Sequence, residues 1–308
     1  MLSRIAEALF WIGRYVERAD GTARILDVHL QLLLEDPWVD EDTACRALLS
    51  VMGITPDRAT SLGRDDVFAM LAVDTQHPAS IAHSIGSARE NARRAREIIS
   101  TDLWETLNHT QARMPRRVAS DKRHEFFRWV RDRSALAFGV VDSATSRDEA
   151  WHFFSLGCAL ERADMTARLL ATRSLAEIGG PSWTTLLRSC GGYEAHLRSH
   201  RAVPTANSAV EFLLVDRHFP RSVLFSVLRA EECLRGIDPS IGFGSVDRAS
   251  RILGRIRSDL EFRPIGDIVV QLHDYMEEVQ AAVSQASEAV RERYFPSMAM
   301  PIWTEEAL

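Results

Sequence analysis

Apolar residues recur at three- and four-residue intervals along most of this chain. In its first stretch Ile5, Ala8, Ile12, Tyr15, Ala19, Leu26, Leu30 and Leu33 form one stripe. That spacing predicts a helix from Ser3 to about Glu35, stopped by Asp36-Pro37. Shorter helices are expected at about Glu41–Met52, closed by Gly53, and at Asp65–Val73. A second long helix is read from Ala79 to about Ser100, with Ile81, Ile85, Ala88, Ala92, Ala95 and Ile99 on its apolar side. Another turn or two follows at Asp102–Asn108, then a basic loop at 113–120 and a third long helix at Asp121–Ser143. The pattern then starts again: Asp148 to about Ile178 is long and helical, ended by Gly179-Gly180-Pro181, and Ile265–Tyr294 is the last long helix. No strand-like alternation of useful length interrupts this, so the expected fold class is all-α.

The second round copies the first. Glu17-Arg18-Ala19-Asp20-Gly21-Thr22-Ala23-Arg24 recurs as Glu161-Arg162-Ala163-Asp164-Met165-Thr166-Ala167-Arg168, 144 positions later. Over Phe10–Leu26 against Phe154–Leu170, 10 of 17 residues are identical. That density is hard to reach by chance, so the repeat governs the fold. Leu48-Leu49 through Gly53 is echoed by Leu186-Leu187 through Gly191 at an offset of 138, and Met70–Glu90 by Phe212–Glu232 at 142, with 8 identities in 21. Offsets that drift by a few residues place the length changes in loops. The expectation is a helical bundle of two homologous tandem halves, about 1–147 and 148–308, sharing one core around a pseudo-twofold axis.

On a helical wheel Gly13, Glu17, Asp20 and Arg24 share a narrow stripe beside the apolar one, whereas Arg18, Thr22 and His29 lie on another flank. Gly157, Glu161, Asp164 and Arg168 repeat the stripe. Arg24 is placed to neutralise Asp20 four residues before it, Glu17 needs a partner from elsewhere, and Gly13 permits close approach by another helix. The stripes are either an ion-pair network locking long helices together or the wall of a binding or catalytic cleft. A second repeated element, Arg89-Glu90-Asn91-Ala92-Arg93 against Glu231-Glu232-Cys233-Leu234-Arg235, keeps only the Glu90/Glu232 and Arg93/Arg235 positions. Glu17, Arg18, Asp20, Arg24, Glu90, Asn91, Arg93, Glu161, Arg162, Asp164, Arg168 and Glu232 are therefore the candidate substrate-binding residues.

Composition removes several alternatives. The 308 residues are 46% apolar and 26% charged, enough for a sizeable core without staples. A net charge of −6 weighs against nucleic-acid binding, which favours basic stripes. Lys122 is the only lysine. Cys45, Cys158, Cys190 and Cys233 are scattered without a Cys-x-x-Cys pair, as expected of a reduced, cytoplasmic protein. No run is long and apolar enough for a membrane span, and Glu7, Arg14 and Glu17 break the layout of a signal peptide. Carboxylate-rich bundles can hold di-iron sites through paired Glu-x-x-His motifs, but only Glu149-Ala-Trp-His152 is present, and its first-half counterpart is Ile5-Ala-Glu-Ala8. No metal or other cofactor is expected. No serine or cysteine is locally paired with a histidine, and no Gly-rich phosphate loop occurs, Gly242-Phe-Gly244 included.

The run Met1-Leu2-Ser3-Arg4…Gly13-Arg14-Tyr15-Val16-Glu17-Arg18-Ala19-Asp20-x-Thr22-Ala23-Arg24-Ile25-Leu26 resembles the bacterial alpha-E family. So do Ser87-Ala88-Arg89-Glu90-Asn91-Ala92-Arg93 and the second Glu161-Arg162-Ala163-Asp164 block, and the resemblance covers essentially the whole chain. Asp20-Gly21 departs from the more usual Glu-Asn, and a glycine there predicts a weakened, bent helix. The family is all-helical, is named for its glutamates and typically accompanies a circularly permuted ATP-grasp protein, often with a transglutaminase-like protein. The resemblance thus implies an accessory or substrate-binding component of an ATP-grasp amide-ligase system that makes or modifies peptides. The alternative is a helical enzyme using Glu17 or Glu161 as general acid or base in amide or peptide chemistry, which needs a glutamate of raised pKa in a cleft.

Overall fold

A computed structural model describes residues 1–35, 40–57, 61–174, 182–240 and 247–296. Among these the chain is all-helical, with no strand. The expected stops at Asp36-Pro37 and Gly179-Gly180-Pro181, and the Gly242–Gly244 segment, lie outside the described residues.

The first long helix, α1, runs unbroken over Ser3–Glu35. Short helices α2 (Glu41–Val51) and α3 (Arg64–Phe68) follow, the latter running into one wider turn at Ala69–Val73. The expected helix at 79–100 is shorter: α4 spans Ile81–Arg94 and α5 spans Thr101–Ala112. The apolar period continues through Ala95 and Ile99, but the Ser100 side chain accepts from the Leu103 N–H and starts a new helix there. Next come α6 (Arg123–Ala144) and the second long helix, α7 (Glu149–Ser174). After it lie α8 (Trp183–Ser189), α9 (Tyr193–His200), α10 (Ala206–Val215) and α11 (Val223–Ile237). The chain closes with α12 (Arg248–Phe262), α13 (Ile265–Val270) and α14 (Leu272–Tyr294). The last long helix thus breaks at Gln271, where the sequence pattern reads straight through.

α1 and α7 lie side by side at the centre and run in the same direction. Met1 meets Glu149, Glu17 meets Arg162, and Gly21 faces Met165. α4 and α6 pack on α1, and α11 and α14 on α7, and one buried apolar cluster runs from Ile5 through Leu156 to Phe295. The central crossing is unusually close. A Cβ on Gly13 would overlap the carbonyl oxygen of Phe154, and a Cβ on Gly157 would overlap that of Phe10. Gly21 serves the same contact: a Cβ there would press on the Met165 side chain, within α1 as a continuous helix rather than at a break in it.

The repeat-related segments make matching local bonds. Ser80 and Ser222 each start their helix and donate to the carbonyls of Asp74 and Asp216. Thr22 Oγ1 donates to Ala79 O at 3.4 Å, and Thr166 Oγ1 to Arg221 O at 2.9 Å.

The crossing generates a sign test. Gly157→Ala forces backbone apart and is expected to lower the free energy of unfolding by about 2–3 kcal/mol. Gly139→Ala, on a part of α6 with nothing within 4 Å, is expected to raise it by about 0.5–1 kcal/mol. Denaturant unfolding of the two variants checks both.

Candidate functional site

The glutamates sit one turn beyond the crossing glycines, Glu17 after Gly13 and Glu161 after Gly157. Glu17 and Glu161 are each 0% exposed. A buried carboxylate is costly unless each oxygen is paired, and here each is. Glu17 accepts from Arg162 Nη2 and from Arg221 Nη1, both at 2.7 Å. Arg221 Nη2 continues to Asp20 Oδ2 at 2.6 Å, and Arg24 Nε joins the same oxygen at 2.8 Å. Arg24 Nη1 then reaches Ser189 O, at the end of α8, at 2.7 Å.

The second network repeats the clamped glutamate and the Asp–Arg pair, but among the described residues no arginine bridges the two by hydrogen bonds. Glu161 accepts from Arg18 Nε and Arg14 Nε, both at 2.5 Å, and from Arg18 Nη2 at 3.0 Å. Asp164 accepts from Arg168 Nε at 2.7 Å, and Arg168 Nη1 donates to Val51 O at the end of α2. Each glutamate is thus held by the arginine that follows the other glutamate in sequence. The helix ends that the outer arginines reach are followed by Gly53 and Gly191, both in left-handed backbone (φ 77° and 67°). These turns leave terminal carbonyls for the guanidiniums to satisfy.

Charge follows from the pairing. Burial pushes the Glu17 carboxyl up, but the guanidiniums of Arg162 and Arg221 outweigh it and hold the pKa down at about 2. For Glu161 burial acts the same way, and Arg14 and Arg18 again lower the balance. Arg18, Arg162 and Arg221 lose solvation by burial yet are raised overall by their carboxylates. All of these groups are charged at neutral pH, and neither glutamate is poised to exchange a proton there.

Of the residues singled out from sequence, Glu17, Asp20, Arg24 and Arg162 converge in the first network, and Arg18, Glu161, Asp164 and Arg168 in the second. Glu90, Asn91, Arg93 and Glu232 do not join them. Glu90 pairs with Arg93 at 2.7 Å on the α4 surface, and Asn91 Nδ2 donates to Ser87 O of its own helix. Glu232 pairs with Arg229, not with Arg235. Asn91 and Arg93 instead line a separate groove of about 670 Å³ between α1 and α4, walled by Trp11 and Tyr15. Sequence reasoning missed Arg14 and Arg221. Their signal was the mismatch within the repeat: Arg14 stands opposite Cys158, and Arg221 opposite Ala79.

Two chemistries lack support among the described residues. No group of three or more His, Cys, Asp or Glu is arranged to hold a metal ion. Cys45 and His29 do meet, at 3.7 Å, but burial pushes the thiol up to about 12 and the imidazole down to about 4. That pair is neutral and not an activated nucleophile. No described helix is long and apolar enough to cross a membrane.

The sequence profile of Alpha-E, a predicted α-helical domain with a conserved ER motif, matches residues 1–295. The chain belongs to the Alpha-E family. Its Glu17-Arg18 and Glu161-Arg162 pairs are of the ER kind, and they are the pairs exchanged between α1 and α7. Uncharacterized proteins of Mycobacterium bovis and of two strains of Mycobacterium tuberculosis are 25% identical over 277 residues, covering 80% of this chain. The chain spans about a third of the length of these curated relatives (31%). No solved structure matches.

Two outcomes follow from the buried pairs. Glu17→Gln leaves Arg162 and Arg221 without their anion, and is expected to cost about 3–5 kcal/mol of stability in chemical denaturation. Because its folded pKa lies below the unfolded value of about 4.3, the stabilisation from Glu17 is fully present above that value. It is lost as pH falls toward about 2. The unfolding midpoint of the wild type is expected to drop between pH 5 and pH 3, with a shallower drop in Glu17→Gln.

Proposed function

We propose that this Alpha-E chain is a non-catalytic accessory or substrate-binding component of an ATP-grasp amide-ligase system that makes or modifies peptides, working in the cytoplasm. The observation that carries the non-catalytic part is the state of Glu17 and Glu161, each fully buried, ionised and held by two arginines. A general acid or base needs access to its substrate and a pKa near the working pH, and both glutamates have neither. The resemblance to the alpha-E family supplies the expected partners, a circularly permuted ATP-grasp protein and a transglutaminase-like protein. An accessory role also suits the absence of a Gly-rich phosphate loop from the sequence.

We further propose that the chain is one domain of two homologous halves related by a pseudo-twofold axis between α1 and α7. The exchanged pairs support this reading: Glu17 with Arg162 and Glu161 with Arg18, Arg24 with Ser189 and Arg168 with Val51. On it, the networks are the rigid frame, and binding falls to the arginine faces turned away from the glutamates.

The test is co-purification with a circularly permuted ATP-grasp protein of the same organism, followed by ATP turnover with and without this chain. Complex formation and chain-dependent turnover are expected, and Glu17→Gln is expected to lose turnover only to the extent that it unfolds. Loss of turnover in a fully folded Glu17→Gln variant would favour the acid–base alternative. Absence of a complex would remove the partner reading.

A further inference from the structure

The two networks are not alike on their outer sides. In the first, Asp20 is shared by Arg24 and Arg221, and Arg221 also spans to Glu17. In the second, the position of Arg221 is taken by Ala79, and Asp164 accepts from Arg168 alone among the described residues. Glu161 is held instead by Arg14, which reaches it from the side of α14 and donates onward to Ser287 at 3.0 Å. The second network keeps donors and an acceptor in reserve, as the first does at Arg162 Nε and Asp20 Oδ1 among the described residues. Arg14 Nη2, Arg18 Nη1 and Asp164 Oδ1 make no hydrogen bond among the described residues.

The residues that carry them line one cavity. It lies between α1, α7 and α14, has a volume of about 290 Å³, and is lined by Arg14, Arg18, Asp164 and Arg168 with Ser284 and the Glu288–Arg291 ion pair of α14. Arg14 is 8% exposed, so a cation already stripped of most of its water faces this space. Glu161, behind Arg14 and Arg18, fixes both guanidinium planes without itself lining the cavity. Two oriented guanidiniums on one wall suit a carboxylate, which they grip through paired N–H···O bonds. The open oxygen of Asp164 on the same lining suits an ammonium. A volume just below the ~300–1,000 Å³ range of ligand sites limits the occupant to amino-acid or dipeptide size.

We propose that this cavity binds a zwitterionic amino acid or a short peptide, its carboxylate on Arg14 and Arg18 and its ammonium on Asp164. The assignment deepens the substrate-binding side of the reading above. It does not require the ATP-grasp partner, because the site is complete within this chain.

Calorimetric titration of the isolated chain with L-alanyl-L-alanine tests it, beside the N-acetylated and the C-terminally amidated forms of the same dipeptide. The free dipeptide is expected to bind, and each blocked form to bind at least tenfold more weakly. Ser284→Trp, an exposed position at the cavity edge outside both networks, is expected to abolish binding while leaving the unfolding midpoint unchanged. Asp164→Asn is expected to weaken the free dipeptide at least tenfold and to leave the N-acetylated form unaffected. No binding of the free dipeptide, equal binding of the blocked forms, or undiminished binding by a folded Ser284→Trp variant overturns the proposal. A chain that binds the dipeptide but forms no ATP-grasp complex overturns the partner reading alone. A chain that forms the complex and ignores the dipeptide overturns this cavity assignment alone.

Discussion

Two carboxylates with no access to water, each clamped by two arginines, set the terms for everything else in this bundle. An ionised side chain in such a place is tolerated only if both oxygens are matched, and the matching groups come from distant parts of the chain. Arg162, Arg14 and Arg18 can meet Glu17 and Glu161 only if α1 and α7 lie in one register. The glycine crossing enables this by bringing the backbones close enough for side chains to span. A slip by one turn would strand charges on both helices, which makes the pairs a register lock as well as an adhesive.

The same geometry separates two roles that a sequence cannot tell apart. The Glu-Arg pair reads equally well as catalytic machinery or as internal bracing, because both use charged residues at helical spacing. Burial and pairing favour bracing at the glutamates. The arginines stay ambiguous by design of their shape: a guanidinium bound to carboxylate along one edge still offers its remaining N–H groups along another. In one network Arg221 is taken up by Asp20 and Glu17 while Arg162 lines a cavity of about 380 Å³ with Pro220, and in the other Arg14, Arg18 and Asp164 line the cavity beside α14. The sequence repeat carries the brace twice, and the differences between Arg14 and Cys158 and between Ala79 and Arg221 leave the two with different outer faces.

Much of this is legible in the sequence alone. The repeat was plain, the apolar period gave α1 and α7, and the stripe arithmetic paired Arg24 with Asp20 and asked for a partner to Glu17. What stayed hidden depended on long-range contact or on a local cap. Arg221 lies 204 residues from Glu17 and Arg14 lies 147 from Glu161, so no window along the chain joins them. The wheel put Arg18 on a different flank from Glu17, which is correct for one helix and misleading for two, since that flank faces the other helix's glutamate. The helix read from 79 to 100 failed for a smaller reason: Ser100 starts a new helix while the apolar spacing carries on.

The outer arginines carry a consequence for how the molecule opens. Arg24 belongs to α1 but holds the last carbonyl of α8, and Arg168 belongs to α7 but holds the last carbonyl of α2. Short helices of 7 and 11 residues are normally the first parts of a protein to fray. Here each is tied to a side chain whose other contact lies in the buried charge network. Their terminal amides should therefore exchange with solvent water on the schedule of the central helix pair, as members of its cooperative unit, and not as independent surface turns.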